Sequence, residues 1–169
     1  VVLFFNTTTA QLPVRKDILL NDNWYTIASD SNTGMTSGFY DLQKIYKKWK
    51  KVNVPHNWDQ YEGYRRLLHG NRHGEAWYAR KLTIVSKQKG KKYFLFFEGA
   101  GSYARVFVNS TNVGEHGGGR TSFTLDITSA ITAGDNMLEV YVDHPPNIKN
   151  QPWVCGGCSD ERGFSEGSQ

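Results

Sequence analysis

Cys155-Gly156-Gly157-Cys158 holds both thiols of the chain. That spacing serves half of a zinc site or a redox pair. Zinc takes four ligands, and neither a second Cys pair nor a closely spaced His pair lies beside it. A redox pair belongs at a strand-to-helix junction, and no helical pattern follows here. What remains is a loop with a local disulfide or two free thiols. His69 and His73 have the spacing of a metal pair on a helix, but Gly70 and Gly74 place them in a loop. No metal and no cofactor are therefore expected. His116 among glycines and Glu98 at a strand end are the obvious base and acid. A positioned corner histidine and a hydrogen-bonded structural carboxylate are the simpler readings. Asp160, Glu161 and Glu166 form a solvated acidic tail.

The elements that must position these groups follow a period of two. Leu138, Val140 and Val142 share one face of a strand, and Glu139, Tyr141 and Asp143 the other. Phe123 to Ile127 and Ala104 to Asn109 alternate in the same way. Trp77 to Ile84 is a further strand, and Lys92 to Glu98 is apolar enough to be buried on both faces. Turn signals at Lys89-Gly90, 99–101, 109–112, 117–119 and 133–136 separate them. Many short strands so spaced indicate an all-β fold, an antiparallel sandwich or barrel. Helix is scarce. Asp126 to Ile131 has room for one turn, capped by Thr128 and ended by Gly134, and residues 41–50 read as a short helix or an irregular approach to Val52–Val54.

At 169 residues the chain has room for one ordinary core. Its net charge of +4 invites a search for an anionic partner. The basic residues lie mainly in 44–51 and 87–92, with no nucleic-acid motif beside them, so no nucleic-acid partner is expected. No apolar run reaches the roughly 18–20 residues of a membrane span. Val1-Val2-Leu3-Phe4-Phe5, followed by polar residues to Ala10, reads as the remnant of a signal peptide over 1–10 or as a short first strand. The first reading implies export, to a periplasm or outside the cell. The sandwich then occupies 11–143, and 144–169 is a long loop, rich in Pro and Gly, of unusual length for a compact domain.

Several segments together resemble glycoside hydrolase family 2, the β-galactosidase, β-glucuronidase and β-mannosidase group, in its N-terminal sugar-binding domain. They are Leu20-Asn21-Asp22-Asn23-Trp24, Val54-Pro55-His56-Asn57-Trp58 and Gly74 to Arg80. The longest is Phe97-Glu98-Gly99-Ala100-Gly101-Ser102-Tyr103 continuing to Asn109, then Val113 to Gly118, Phe123 to Thr128 and Gly134-Asp135-Asn136. They keep the family's order and approximate spacing over about 17–143. The resemblance implies a jelly roll of the galactose-binding-domain type. Trp58 and Trp77 are large enough to plug such a sandwich, and the glycines suit its corners. Two departures stand out: Asn109-Ser110 replaces the family's Asn-Gly turn, and Arg120 stands where an aromatic residue is common.

Retaining hydrolysis of a β-glycoside needs two carboxyl groups about 5–5.5 Å apart. In the family both are glutamates on a separate (β/α)₈ barrel, for which this chain has no pattern. No catalytic residue is therefore expected in the chain, although the resemblance implies a parent that hydrolyses O-glycosyl bonds. The implied partners are the remaining domains of that parent and a carbohydrate, β-galactoside or related glycoside, at the barrel's rim. Asn71 matches the approximate place where an asparagine of some β-galactosidases meets substrate, and Arg72 and His73 share its loop. Asn and Arg offer sugar hydroxyls several donors and acceptors in fixed geometry. Gln151 and Trp153 are the second group; Gln151 stands where family members can carry an acid. The family domain ends in a strand that this sequence does not reach, which leaves a truncated last strand after the loop. The leading expectation is a non-catalytic sugar-binding and docking domain of a β-galactosidase-like enzyme. A free-standing carbohydrate-binding module and a purely structural assembly domain are the alternatives.

Overall fold

The structure is a computed structural model that describes residues 15–29, 49–57 and 74–144. Eight strands run through them: β1 Trp24–Ser29, β2 Lys50–Val52, β3 Gly74–Ile84, β4 Phe94–Phe97, β5 Tyr103–Val108, β6 Thr111–Gly117, β7 Phe123–Asp126 and β8 Gly134–His144. Six form one sheet in the order β2-β1-β3-β8-β5-β6, and β4 and β7 form a second. Every pairing among them is antiparallel. The expected all-β sandwich is what the chain forms.

Alternation decides which side chains meet between the sheets. Ala104, Val106 and Val108 of β5 and Leu138, Val140 and Val142 of β8 are all buried, and Ala76, Tyr78 and Leu82 of β3 join them. Leu95, Ile127 and Ile131 close the core from the side of the second sheet. Each such aliphatic side chain contributes about 1.5–3 kcal/mol on full burial. The backbone of the sheet is anchored by β3 and β8, which pair continuously from Gly74–His144 to Ile84–Gly134.

Trp77 does not plug the sandwich. It is buried, but on the opposite face of the six-stranded sheet, where its ring lies 5.1 Å from that of Tyr141 and 5.9 Å from that of Phe107. The reason is parity: Ala76 and Tyr78 take the core positions, which turns the residue between them outward. Trp24 takes the core role instead, its indole N–H donating to the Leu20 carbonyl at 2.6 Å. The outward face also holds Glu139, 3% exposed. One of its carboxyl oxygens is buried without a hydrogen-bond partner. Burial raises its pKa to about 7.

Two turns correct the sequence reading in detail. The turn after β7 forms, with Ile131 N–H donating to the Ile127 carbonyl at 3.1 Å. Its cap is Asp126, whose carboxylate accepts from Thr128 N–H at 2.9 Å. Thr128 itself faces the start of β4, its hydroxyl accepting from Tyr93 N–H at 2.9 Å. Asn109 and Ser110 both adopt positive φ, 49° and 70°, between β5 and β6. The Asn109 amide donates to Asn136 Oδ1 at 2.7 Å, and its oxygen accepts from Met137 N–H at 2.9 Å. Asn136, 3% exposed, also accepts from Thr132 N–H and donates to the carbonyls of Thr132, Gly134 and Leu82. An apparent turn residue is thus the centre of a buried polar knot.

β8 extends to His144, one residue past the expected boundary at 143. The segments 1–10 and 145–169, most of 41–50, and Trp58 lie outside the described residues.

Candidate functional site

Gly74 opens β3, His144 closes β8, and the two are register partners. The stretch carrying Asn71, Arg72 and His73 therefore joins the sandwich beside the point where the stretch carrying Gln151 and Trp153 departs. Those five residues themselves, with His69, Cys155 and Cys158, lie outside the described residues. What is described is the floor from which both stretches spring.

That floor is tied together by the corner between β4 and β5. Ser102 N–H donates to the Asp143 carbonyl at 3.1 Å, and Gly118 N–H donates to the Ser102 carbonyl at 2.7 Å. Ser102 Oγ and His144 Nδ1 lie 2.7 Å apart in a hydrogen bond. A serine hydroxyl on a histidine ring has the chemistry of a nucleophile and its base. Here Ser102 is 2% exposed and His144 8%, so the hydroxyl faces no substrate. The pair is a structural tie. Neither residue stood out in the sequence, because only the fold brings them together.

The glycines work by close approach. A Cβ on Gly99 would lie 2.7 Å from the Gly119 carbonyl oxygen, and one on Gly119 would lie 2.9 Å from the Gly101 Cα. The corner 99–101 and the loop 117–119 are thus packed backbone on backbone, which only glycine permits. His116 proves to be the positioned corner histidine: it stacks on Phe123 at 4.3 Å and is hydrogen-bonded to Thr121 Oγ1 at 2.7 Å. Phe123 in turn stacks on Phe97 at 4.7 Å. Glu98 differs from expectation, since among the described residues no side-chain hydrogen bond to its carboxylate is found.

Around the rim the outward face of the large sheet becomes acidic. Glu75 and Asp143 are directly opposite on β3 and β8. Burial and the neighbouring Glu75 hold the Asp143 pKa above its ordinary value. Tyr141 is pushed up too, first by burial and then by the charges of Asp143 and Glu75. On β5 and β6 the Tyr103 hydroxyl donates to Glu115 at 2.5 Å, and Arg105 reaches the same carboxylate at 3.3 Å. Among the described residues no group of three or more His, Cys, Asp or Glu is placed to hold a metal. The rim offers planar donors and acceptors of the kind that suit hydroxyl-rich ligands.

The described strands form an antiparallel jelly-roll sandwich in which the start of β3 and the end of β8 lie side by side. The family model for the sugar-binding domain of family 2 glycosyl hydrolases matches residues 14–154. The chain belongs to that family. It is 34% identical over 141 residues to a β-glucuronidase of Bacteroides fragilis, covering 83% of this chain and 18% of the relative. A β-galactosidase of Thermoanaerobacter pseudethanolicus is 32% identical over 133 residues, covering 76% of this chain and 17% of the relative. Among solved structures, a calcium-binding mutant of Bacteroides uniformis β-glucuronidase 2 superposes with a TM-score of 0.64 at 30% identity, covering 88% of this chain and 16% of that one. The chain thus spans less than a fifth of the length of these relatives, and corresponds to their non-catalytic sugar-binding part.

Proposed function

We propose that this domain docks on a separate catalytic domain of a retaining β-glycosidase, acting on a β-glucuronide or β-galactoside, and lends sugar contacts from its loop-bearing end. The observation that carries the reading is the Gly74–His144 pairing. It gives the stretches bearing Asn71, Arg72, His73, Gln151 and Trp153 a common origin on one rigid floor. Contacts to a sugar at a neighbouring pocket are useful only if they start from such a floor, because misplacement by about 1 Å is costly to catalysis. Names of the relatives include both a glucuronidase and a galactosidase, so the two sugars are tested side by side. The galactoside expected from sequence resemblance is one of the two.

The experiment is steady-state hydrolysis of chromogenic β-glucuronide and β-galactoside by the full-length polypeptide carrying this domain. Asn71→Ala and Trp153→Ala are expected to lower kcat/KM for the accepted sugar by about tenfold or more, the loss of one to two good contacts. Unchanged kcat/KM in both variants would confine the domain to a structural role. The 169-residue chain alone is expected to leave both substrates intact. Hydrolysis by the chain alone, free of contaminating enzyme, would overturn the non-catalytic reading.

A further inference from the structure

The second sheet carries a feature that the sugar-binding end does not use. β4 reads Phe-Leu-Phe-Phe, and its inward residues are accounted for: Leu95 is 5% exposed and Phe97 stacks on Phe123. Its outward residues are Phe94 and Phe96, 57% and 63% exposed. Among the described residues the other exposed large hydrophobic residues are Ile18, Leu19 and Val85, none of which lies on this ribbon. Phe94 and Phe96 are two apart on one strand, so both rings stand on the same face. A strand apolar on both faces belongs where both faces are covered. Here one face is bare.

The surroundings say what kind of cover fits. Phe94 faces Asp126 and Phe96 faces Thr124 across the ribbon. The Asp126 carboxylate is already engaged by Lys92 at 3.0 Å and by Thr128 N–H at 2.9 Å. The face therefore offers two phenyl rings and little directional hydrogen bonding. That suits an apolar protein surface with a polar rim.

We infer that the outer face of the β4–β7 sheet is an interdomain docking surface, covered by an apolar face of another domain of the same polypeptide. The argument for this occupant over a second copy is length. The chain accounts for 18% and 17% of two relatives, so most of a comparable polypeptide is available to form the missing layer. The inference rests on the reading of the chain as one domain of a longer glycosidase.

The test places the photo-crosslinker p-benzoylphenylalanine at position 96 of the full-length polypeptide and maps its products by mass spectrometry. The expected product is an intramolecular link to a peptide outside residues 1–169. A link joining two copies of this domain, or no link at all, would overturn the inference. A second arm uses the double variant Phe94→Ser, Phe96→Ser. Its thermal midpoint is expected to match wild type in the 169-residue chain and to fall in the full-length polypeptide. Equal shifts in both would mean that the rings serve the domain's own packing, against the inference. Glycoside hydrolysis is measured on the same samples. An active polypeptide without the link sinks docking alone, and a linked polypeptide that cleaves no glycoside sinks the functional reading alone.

Discussion

Ser102 and His144, distant in sequence, are joined by a 2.7 Å hydrogen bond directly beneath the last residue pair of the β3–β8 ladder. Through its backbone Ser102 also holds β8 at Asp143 and the loop at Gly118. One serine thus fastens three segments to the floor of the candidate sugar-contacting end.

Ser102→Ala keeps the backbone bonds and removes the hydroxyl from His144 Nδ1. A buried polar atom deprived of its partner costs about 1–3 kcal/mol. The urea midpoint of the chain is expected to fall accordingly, with an unchanged m-value. An unmoved midpoint would show that this tie adds nothing to stability.

Glu139 predicts a pH dependence of opposite sign to that of an ordinary paired carboxylate. Burial raises its folded pKa from 4.5 to about 7. Between those values the folded state retains a proton that the unfolded chain has lost, so stability declines as pH rises from 4.5 through 7. Glu139→Gln abolishes the titration. It is expected to be more stable than wild type by about 3 kcal/mol at pH 8 and comparable to it at pH 4. Parallel denaturation curves at the two pH values check this; a gap that does not change with pH refutes it.

Much of this architecture could be read in the amino acids. The alternation of β5 and β8 named the core face correctly, because Ala104, Val106, Val108, Leu138, Val140 and Val142 contrast cleanly with their neighbours. Around Trp77 the pattern was ambiguous: Ala76, Trp77, Tyr78 and Ala79 are all buried, on alternating faces, and size alone could not say which face faced the core. Asn136 was hidden in a stretch that reads as a turn, since a polar knot is visible only when Asn109, Thr132 and Leu82 are brought round it. The candidate loops were named from resemblance. Their common origin at Gly74 and His144 depends on strand register, which one-dimensional spacing does not carry.

Asn136→Ala removes the centre of that knot. It takes their side-chain partner from Thr132 N–H and from the carbonyls of Thr132 and Gly134, and leaves the Asn109 amide with the Ala130 carbonyl alone as acceptor. Several buried bonds lost at once are expected to lower stability by about 3 kcal/mol or more. Chemical denaturation reads the effect directly, and a loss under about 1 kcal/mol would mean that solvent replaces the asparagine.

Ser110→Gly has the opposite outcome. Ser110 holds φ at 70°, a conformation that costs a residue with a side chain about 1 kcal/mol and glycine almost nothing. Asn109 earlier in the turn keeps its place through its side-chain bonds to Asn136 and Met137. The variant is expected to gain about 0.5–1 kcal/mol, read as a higher thermal midpoint. A lower midpoint would contradict the strain assigned to this turn.

The pairing of Gly74 with His144 also fixes how the domain answers to force. Each of β3 and β8 has 11 residues, so the ladder is about 36 Å long. A pull that separates the chain just before Gly74 from the chain just after His144 loads that ladder as a zipper, one pair at a time from its end. A pull between Gly74 and Gly134, at opposite ends, loads every pair at once in shear. Tension between the two candidate loops thus acts along the fold's weakest mechanical direction, and the Ser102–His144 bond sits where such an opening would begin.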